Sequence, residues 1–282
     1  NAFAIPLGTF VGLDGGIRAG KTFGMHSYWD KVARLNPDFV NFIMNNKEAV
    51  ARAKKGDFGL ISMFDEFGGE KRCRAFFSGD YPDAKELRAD INMYYRKGVR
   101  NFVYYSSEER HILYGTDSGY FDALEDNINE TEDKGLVLID ETLHWYVREG
   151  RPIEVSHQDI AVRFWTKIGR NIGEADRSCW VSIQTANAMR HANKELHDIA
   201  VRLTDVWLVG AVPSTSELAD EVGINTQLYP DAEVQLAEIV SGFTPGDEIS
   251  PLRYHGRFAA VARGGAIVKA MRFLTLNERM VL

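Results

Sequence analysis

Gly15-Gly16-Ile17-Arg18-Ala19-Gly20-Lys21-Thr22 matches the pattern G-x-x-x-x-G-K-[ST] at every fixed position. A strand-like apolar run at residues 9–13 leads into it. A helical pattern leaves it, with Met25, Tyr28 or Trp29, Val32 and Leu35 on one face until Asn36-Pro37 stops the repeat. This strand, loop and helix context separates a phosphate cradle from a glycine-rich turn that merely ends in Lys-Thr. Gly15 and Gly20 allow the backbone to curl, so that the N–H groups of Gly15, Gly16, Ile17, Arg18, Ala19 and Gly20 converge on an anion at the positive end of the helix. Lys21 then reaches the outer phosphates, and the Thr22 hydroxyl ligates the Mg²⁺ that neutralises them.

The rest of the composition bounds what such a loop can serve. A chain of 282 residues has room for one large α/β domain, and 45% hydrophobic with 26% charged residues excludes a disordered chain. The formal charge of −7 means that any nucleic acid must be met by a local basic surface rather than by the field of the whole molecule. Lys71, Arg72, Arg74, Arg96, Lys97 and Arg100 supply a candidate, with Tyr94 or Tyr95 as a stacking face. The alternative for the same charges is helix capping on a solvated face. Two cysteines, Cys73 and Cys179, stand far apart without ligand-spaced companions, which points to neither a zinc site nor a disulfide framework. No apolar run approaches the ~18–20 residues of a membrane span, and no secretory signal pattern opens the sequence. A soluble, non-secreted protein is expected.

Strand-like runs at 100–106, 136–139, 180–183 and 206–209 alternate with helical patterns, among them 83–98, a helix marked by Phe121, Leu124 and Ile128, one marked by Ile160, Phe164 and Ile168 behind a Ser156/Asp159 capping box, and one marked by Leu196, Ile199 and Leu203. Shorter helical stretches are read at 46–55, 215–222 and 232–240, and residues 60–67 form a short apolar run. Residues 258–262 and 266–273 flank Gly264-Gly265 as a hairpin. The expected fold is α/β: a three-layer P-loop NTPase with a mainly parallel central sheet and an antiparallel hairpin at one edge. One domain spans 1–282, with a candidate insertion near 40–95.

The run 136–139 ends in Asp140-Glu141. Downstream of a phosphate loop, Asp140 is placed to hold the hydrated Mg²⁺ and Glu141 to polarise the water that attacks the γ-phosphate, which turns ATP binding into ATP hydrolysis. Taken alone, the same pair would only end a strand. Gln184, at the end of a strand expected between the P-loop strand and the Asp-Glu strand, is the candidate γ-phosphate sensor. Arg170 is the first candidate for the arginine that neutralises the transition state and Arg190 the second, with Arg18, Arg163, Arg177 and Arg202 also available.

These motifs, together with Gly169-Arg170-Asn171-Ile172-Gly173, Val181-Ser182-Ile183-Gln184-Thr185 and Thr204-Asp205-Val206-Trp207, resemble the FtsK–HerA group of RecA/ASCE-like P-loop motor ATPases. Within it, the arrangement is most similar to the genome-packaging ATPases of membrane-containing viruses. The resemblance implies an ATP- and Mg²⁺-dependent motor on double-stranded DNA, a homo-oligomeric ring with an arginine acting across the subunit boundary, a capsid or membrane vertex protein as docking partner, and a place in the host cytoplasm or at the virion packaging vertex. Rival readings are a large-terminase ATPase module, suggested by Arg18 in the loop, and a Zot-like phage assembly ATPase, which normally carries a membrane anchor. A nucleotide-binding assembly protein and a small-molecule kinase are further alternatives; Glu141 argues against both.

Overall fold

The computed structural model describes residues 5–6, 8–15, 21–45, 72–106, 116–130, 132–148, 151–152, 154, 158–175, 177–183, 186–210, 212, 215, 217–241 and 257–272. Strand β1 (Phe10–Asp14) runs into the phosphate loop, and helix α1 (Lys21–Leu35) leaves it. Then come β2 (Val40–Asn45), β3 (Cys73–Phe77), α2 (Ala84–Arg96), β4 (Asn101–Tyr105), α3 (Thr116–Glu130) and β5 (Gly135–Ile139). A small ribbon of β6 (Val147–Arg148) and β7 (Arg151–Pro152) follows. Helix α4 (Asp159–Arg163), a π segment (Phe164–Ile168) and α5 (Gly169–Glu174) form one continuous helical run, and β8 (Ser178–Ile183) follows. The chain continues through α6 (Ala186–Ala192), α7 (Lys194–Leu203), β9 (Val206–Val209), α8 (Leu218–Glu221), α9 (Ala232–Ser241), β10 (Arg257–Ala262) and β11 (Val268–Arg272).

Nine strands make one sheet in the order β11-β10-β9-β1-β8-β5-β2-β4-β3. Every pairing from β9 to β3 is parallel, and the two pairings of the edge hairpin are antiparallel. The central strands are apolar on both faces, as burial between two helical layers requires. Side chains therefore divide with period two: Val137 and Ile139 of β5 enter one core, Leu136 and Leu138 the other. Met25, Trp29, Val32 and Ala33 of α1 cover the second face. Helices α2 to α9 send their apolar stripes to the first, among them Leu87, Phe121, Ile168, Leu196 and Leu236.

Two strands were not anticipated from the sequence. Strand β2 lies deep in the sheet between β5 and β4, inside the stretch read as a candidate insertion. Its polar residue Asn41 is buried: Nδ2 donates to Asn101 Oδ1 at 2.8 Å, and Oδ1 accepts from the Leu136 N–H at 3.2 Å. Trp29 Nε1 donates to the same Asn101 oxygen at 3.0 Å. Strand β3 closes the other edge with the Cys73-Arg74 pair that was read as a surface cluster. The helix expected behind Ser156 begins at Asp159, with Gln158 in the N-cap position and no side-chain cap. Ser156, and the expected elements at 46–55 and 60–67, lie outside the described residues.

Candidate nucleotide site

All strands from β9 to β3 point the same way, so their carboxyl ends form one rim, and the P-loop, the Asp140-Glu141 pair and the end of β8 meet there. Asp14 closes β1, and Gly15 follows with φ of 150°, a region that glycine enters without the steric cost of a side chain. Gly16, Ile17, Arg18, Ala19 and Gly20 lie outside the described residues. Lys21 opens α1 at 8% exposure, and its ammonium donates to the Gly15 carbonyl at 2.5 Å. One residue on, Thr22 Oγ1 donates to Asp140 Oδ2, also at 2.5 Å.

That contact joins two residues 118 positions apart, and both are hard oxygen donors of the kind Mg²⁺ prefers. Asp140 is 2% exposed and its N–H donates to Met44 O at 3.0 Å, so β2 fixes the carboxylate from the far side. Among the described residues no cluster of three or more His, Cys, Asp or Glu side chains could by itself hold a metal. A hydroxyl and one carboxylate suit an ion that takes its other ligands from phosphate and water. Glu141 is the only described non-glycine residue in the left-handed region, at φ 57° and ψ 57°. Such a conformation costs about 1–2 kcal/mol for a residue with a Cβ and persists where neighbours impose it. Here Thr142 is tethered through Oγ1 to Ser182 O of β8 at 3.1 Å, and the turn lifts Glu141 out of the strand to a partly exposed position beside Asp140.

Strand β8 stands between β1 and β5, the place expected for the strand that ends in Gln184. Gln184 itself lies outside the described residues. The arginine candidates separate by position. Helix α5 leads to the amino end of β8, where the Arg177 N–H donates to Ile172 O at 3.2 Å, so Arg170 sits at the rim opposite the P-loop. Its side chain is 72% exposed and pairs with Glu174 at 3.0 Å. Arg190, on α6 beyond the carboxyl end of β8, lies at the P-loop rim and reaches Asp220 at 3.3 Å. Arg163 is committed to Asp122 at 2.6 Å and Glu125 at 3.0 Å. Arg177 is buried against Asn127. Arg202 is exposed on α7, and Arg18 lies outside the described residues.

No protein-family model and no curated protein sequence matches the chain. Solved structures do. The DNA-packaging ATPase B204 of Sulfolobus turreted icosahedral virus superposes over 96% of this chain and 100% of its own, at 11% identity and a TM-score of 0.51. The genome packaging NTPase B204 of Sulfolobus turreted icosahedral virus 2, in complex with sulfate, covers 95% and 97% at 11% identity and 0.51. VirB4 of Thermoanaerobacter pseudethanolicus covers 96% and 91% at 12% identity and 0.51. The chain has the P-loop ATPase fold. The likeness read from the motifs thus extends to the fold.

Within this ATPase fold, the described basic residues singled out from the sequence gather at the rim opposite the P-loop. Arg72 and Arg100 precede β3 and β4, and Arg96 and Lys97 end α2; Lys71 lies outside the described residues. The tyrosines among them are already engaged: the Arg74 guanidinium lies 4.3 Å from the Tyr94 ring centre, Lys97 5.2 Å from it, and Arg100 5.8 Å from that of Tyr95. Tyr95 also donates its hydroxyl to Asp133. The sequence reading missed Asp14, which is wholly buried at the foot of the loop. Burial pushes its carboxyl up to about 6, against the pull of the Ala186 and Gly15 N–H groups and the Lys21 ammonium. Burial also lifts Glu221 of α8 to about 7, with Asp14 the next cause. The one visible signal was an acid directly before an anion-binding loop, where its charge has the wrong sign.

Proposed function

We propose that residues 1–282 form a single ATPase domain that hydrolyses Mg²⁺-ATP to translocate double-stranded DNA, as a genome-packaging motor working in a homo-oligomeric ring. The observation that carries the hydrolytic reading is the 2.5 Å contact of Thr22 with Asp140, with Glu141 turned out beside it. Lys21 and the loop amides would bind the phosphates. Thr22 and Asp140 would hold Mg²⁺, which supplies charge neutralisation on the β- and γ-phosphates when bound. Glu141 would take the proton of the attacking water and Gln184 would sense the γ-phosphate. Support for a DNA cargo comes from the packaging ATPase of the turreted virus, whose fold this chain shares. An exposed Arg170 at the far rim fits an arginine that serves a neighbouring subunit. A capsid or membrane vertex protein as docking partner, and a cytoplasmic or virion location, follow from the same reading.

The test is Mg²⁺-dependent ATP turnover with and without double-stranded DNA. Wild type should hydrolyse ATP and be stimulated by DNA. Glu141→Gln should lose turnover by about 100-fold or more while still binding ATP, the loss expected when a water-activating base is removed. Equal rates for wild type and Glu141→Gln would overturn the hydrolytic model, and DNA-independent turnover would overturn the motor.

A further inference from the structure

Asp14 connects parts of the site that no motif joins. Its main chain ends β1 in register with Ile183, the last residue of β8, and its carbonyl accepts the Gly210 N–H at 2.8 Å. Its carboxylate Oδ1 accepts the N–H of Ala186, the first residue of α6, at 3.2 Å. One residue thereby holds both the last residue of β8 and the first residue of the helix beyond it. Gln184 and Thr185 separate those two in the chain. Oδ2 is buried with no hydrogen-bond partner of good geometry among the described residues, so half of this carboxylate is poorly compensated for its lost water, an arrangement proteins rarely keep without use.

The groups that act on the carboxylate mark out what it links. Lys21 faces it from α1, and Glu221 from α8; Glu221 in turn feels Glu217, Asp220 and Arg190. Helix α6 carries Arg190, whose Asp220 partner lies on α8. A carboxylate beside a phosphate loop weakens anion binding by charge repulsion, and a neutral residue could fill the space, so its benefit must lie elsewhere. We infer that Asp14 is a positioning residue that fixes the end of β8 and the start of α6 against the phosphate loop, so that Lys21 and α6 respond to nucleotide together. This rests on the ATPase reading above.

The experiment compares Asp14→Ala, which removes the acceptor, with Asp14→Asn, which keeps an oxygen for the Ala186 N–H. Three quantities are measured: kcat, the Kd of a non-hydrolysable ATP analogue, and amide hydrogen exchange across residues 186–192. Asp14→Ala should lower kcat about 10- to 100-fold, leave the analogue Kd within about 3-fold, and speed exchange in α6 about 10-fold. Asp14→Asn should restore both kcat and α6 protection to within about 3-fold of wild type. A purely structural role would move Kd and kcat together. The inference falls if Asp14→Ala matches wild type, if Asn rescues no better than Ala, or if Kd worsens in step with kcat. Should wild type show no ATP turnover, the ATPase reading fails, and the exchange comparison still decides whether Asp14 secures α6.

Discussion

At the scale of single residues the site is built from charges kept out of water, and Asp14 shows what that costs. Its carboxyl, ordinarily at 3.8, is raised to about 6 by burial. Between those values the unfolded chain has released the proton while the folded chain still holds it, so stability is lost as pH rises through that window. The cost is complete above about pH 6 and absent below about pH 3.8. A rise of this size corresponds to at most about 3 kcal/mol. Asp14→Asn should accordingly be more stable than wild type by about 1–3 kcal/mol at pH 8 and equal to it at pH 3.5, as read from urea midpoints at each pH. A gain that does not depend on pH would show that the burden is packing rather than charge. The meeting of Thr22 with Asp140 was legible because each belongs to a local pattern, the G-x-x-x-x-G-K-[ST] loop and an apolar strand ending in Asp-Glu. Asp14 was not, because its role depends on Ala186, 172 positions away.

Elements were legible where a local signal and the tertiary fold agreed. Helix α2 has its Asp83 cap, accepting from the Glu86 N–H at 2.9 Å, and β5 is apolar throughout. Strand β2 reads Val-Asn-Phe-Ile-Met-Asn, and its asparagines suggest a loop until Asn101 and the Leu136 N–H are seen to satisfy Asn41. Strand β3 was hidden by Arg74 and the basic residues just before it, for the converse reason: Arg74 lies on Tyr94, a residue of another element. The central strand β1 carries a further constraint invisible in sequence. A Cβ on Gly12 would lie 2.5 Å from the Trp207 ring of the adjacent strand β9. Gly12→Ala should cost about 1–3 kcal/mol through overpacking, and Trp207→Leu in the same chain should recover part of that loss. Strictly additive effects in the four-variant cycle would contradict the clash.

On the scale of the whole molecule, the parallel sheet separates two rims. One gathers Lys21, Thr22, Asp140, Glu141 and Arg190; the other presents Arg170 and the cationic residues Arg72, Arg96, Lys97 and Arg100. The mainly parallel sheet follows from alternating helices and strands and the edge hairpin from Gly264-Gly265, so the fold class was readable from the sequence; the strand order was readable only for β8, since β2 and β3 carried no local strand signal. Which rim each arginine occupies was not, since that depends on which end of β8 its helix adjoins. A ring in which Arg170 meets the next subunit's nucleotide makes a stoichiometric prediction. Arg170→Ala protein mixed into wild type should lower turnover more steeply than the fraction of wild-type subunits falls, whereas an arginine serving its own subunit gives a straight line. Linear loss would shift the assignment to Arg190.

The π segment ahead of Arg170 gives that arginine its direction. In an unbroken α-helix, residues 163, 167 and 170 would form one stripe, and Arg163 and Lys167 already face Asp122 and Glu125 of α3. The Gly169 N–H instead reaches back five residues to Phe164 O, and an extra residue in the turn sets the helical phase beyond it back by about 100°. Arg170 is thereby steered off the acidic stripe and, among the described residues, pairs with Glu174, one turn further along its own helix. A single local change in winding thus decides which acidic partner Arg170 meets and leaves its guanidinium largely exposed beside Glu174.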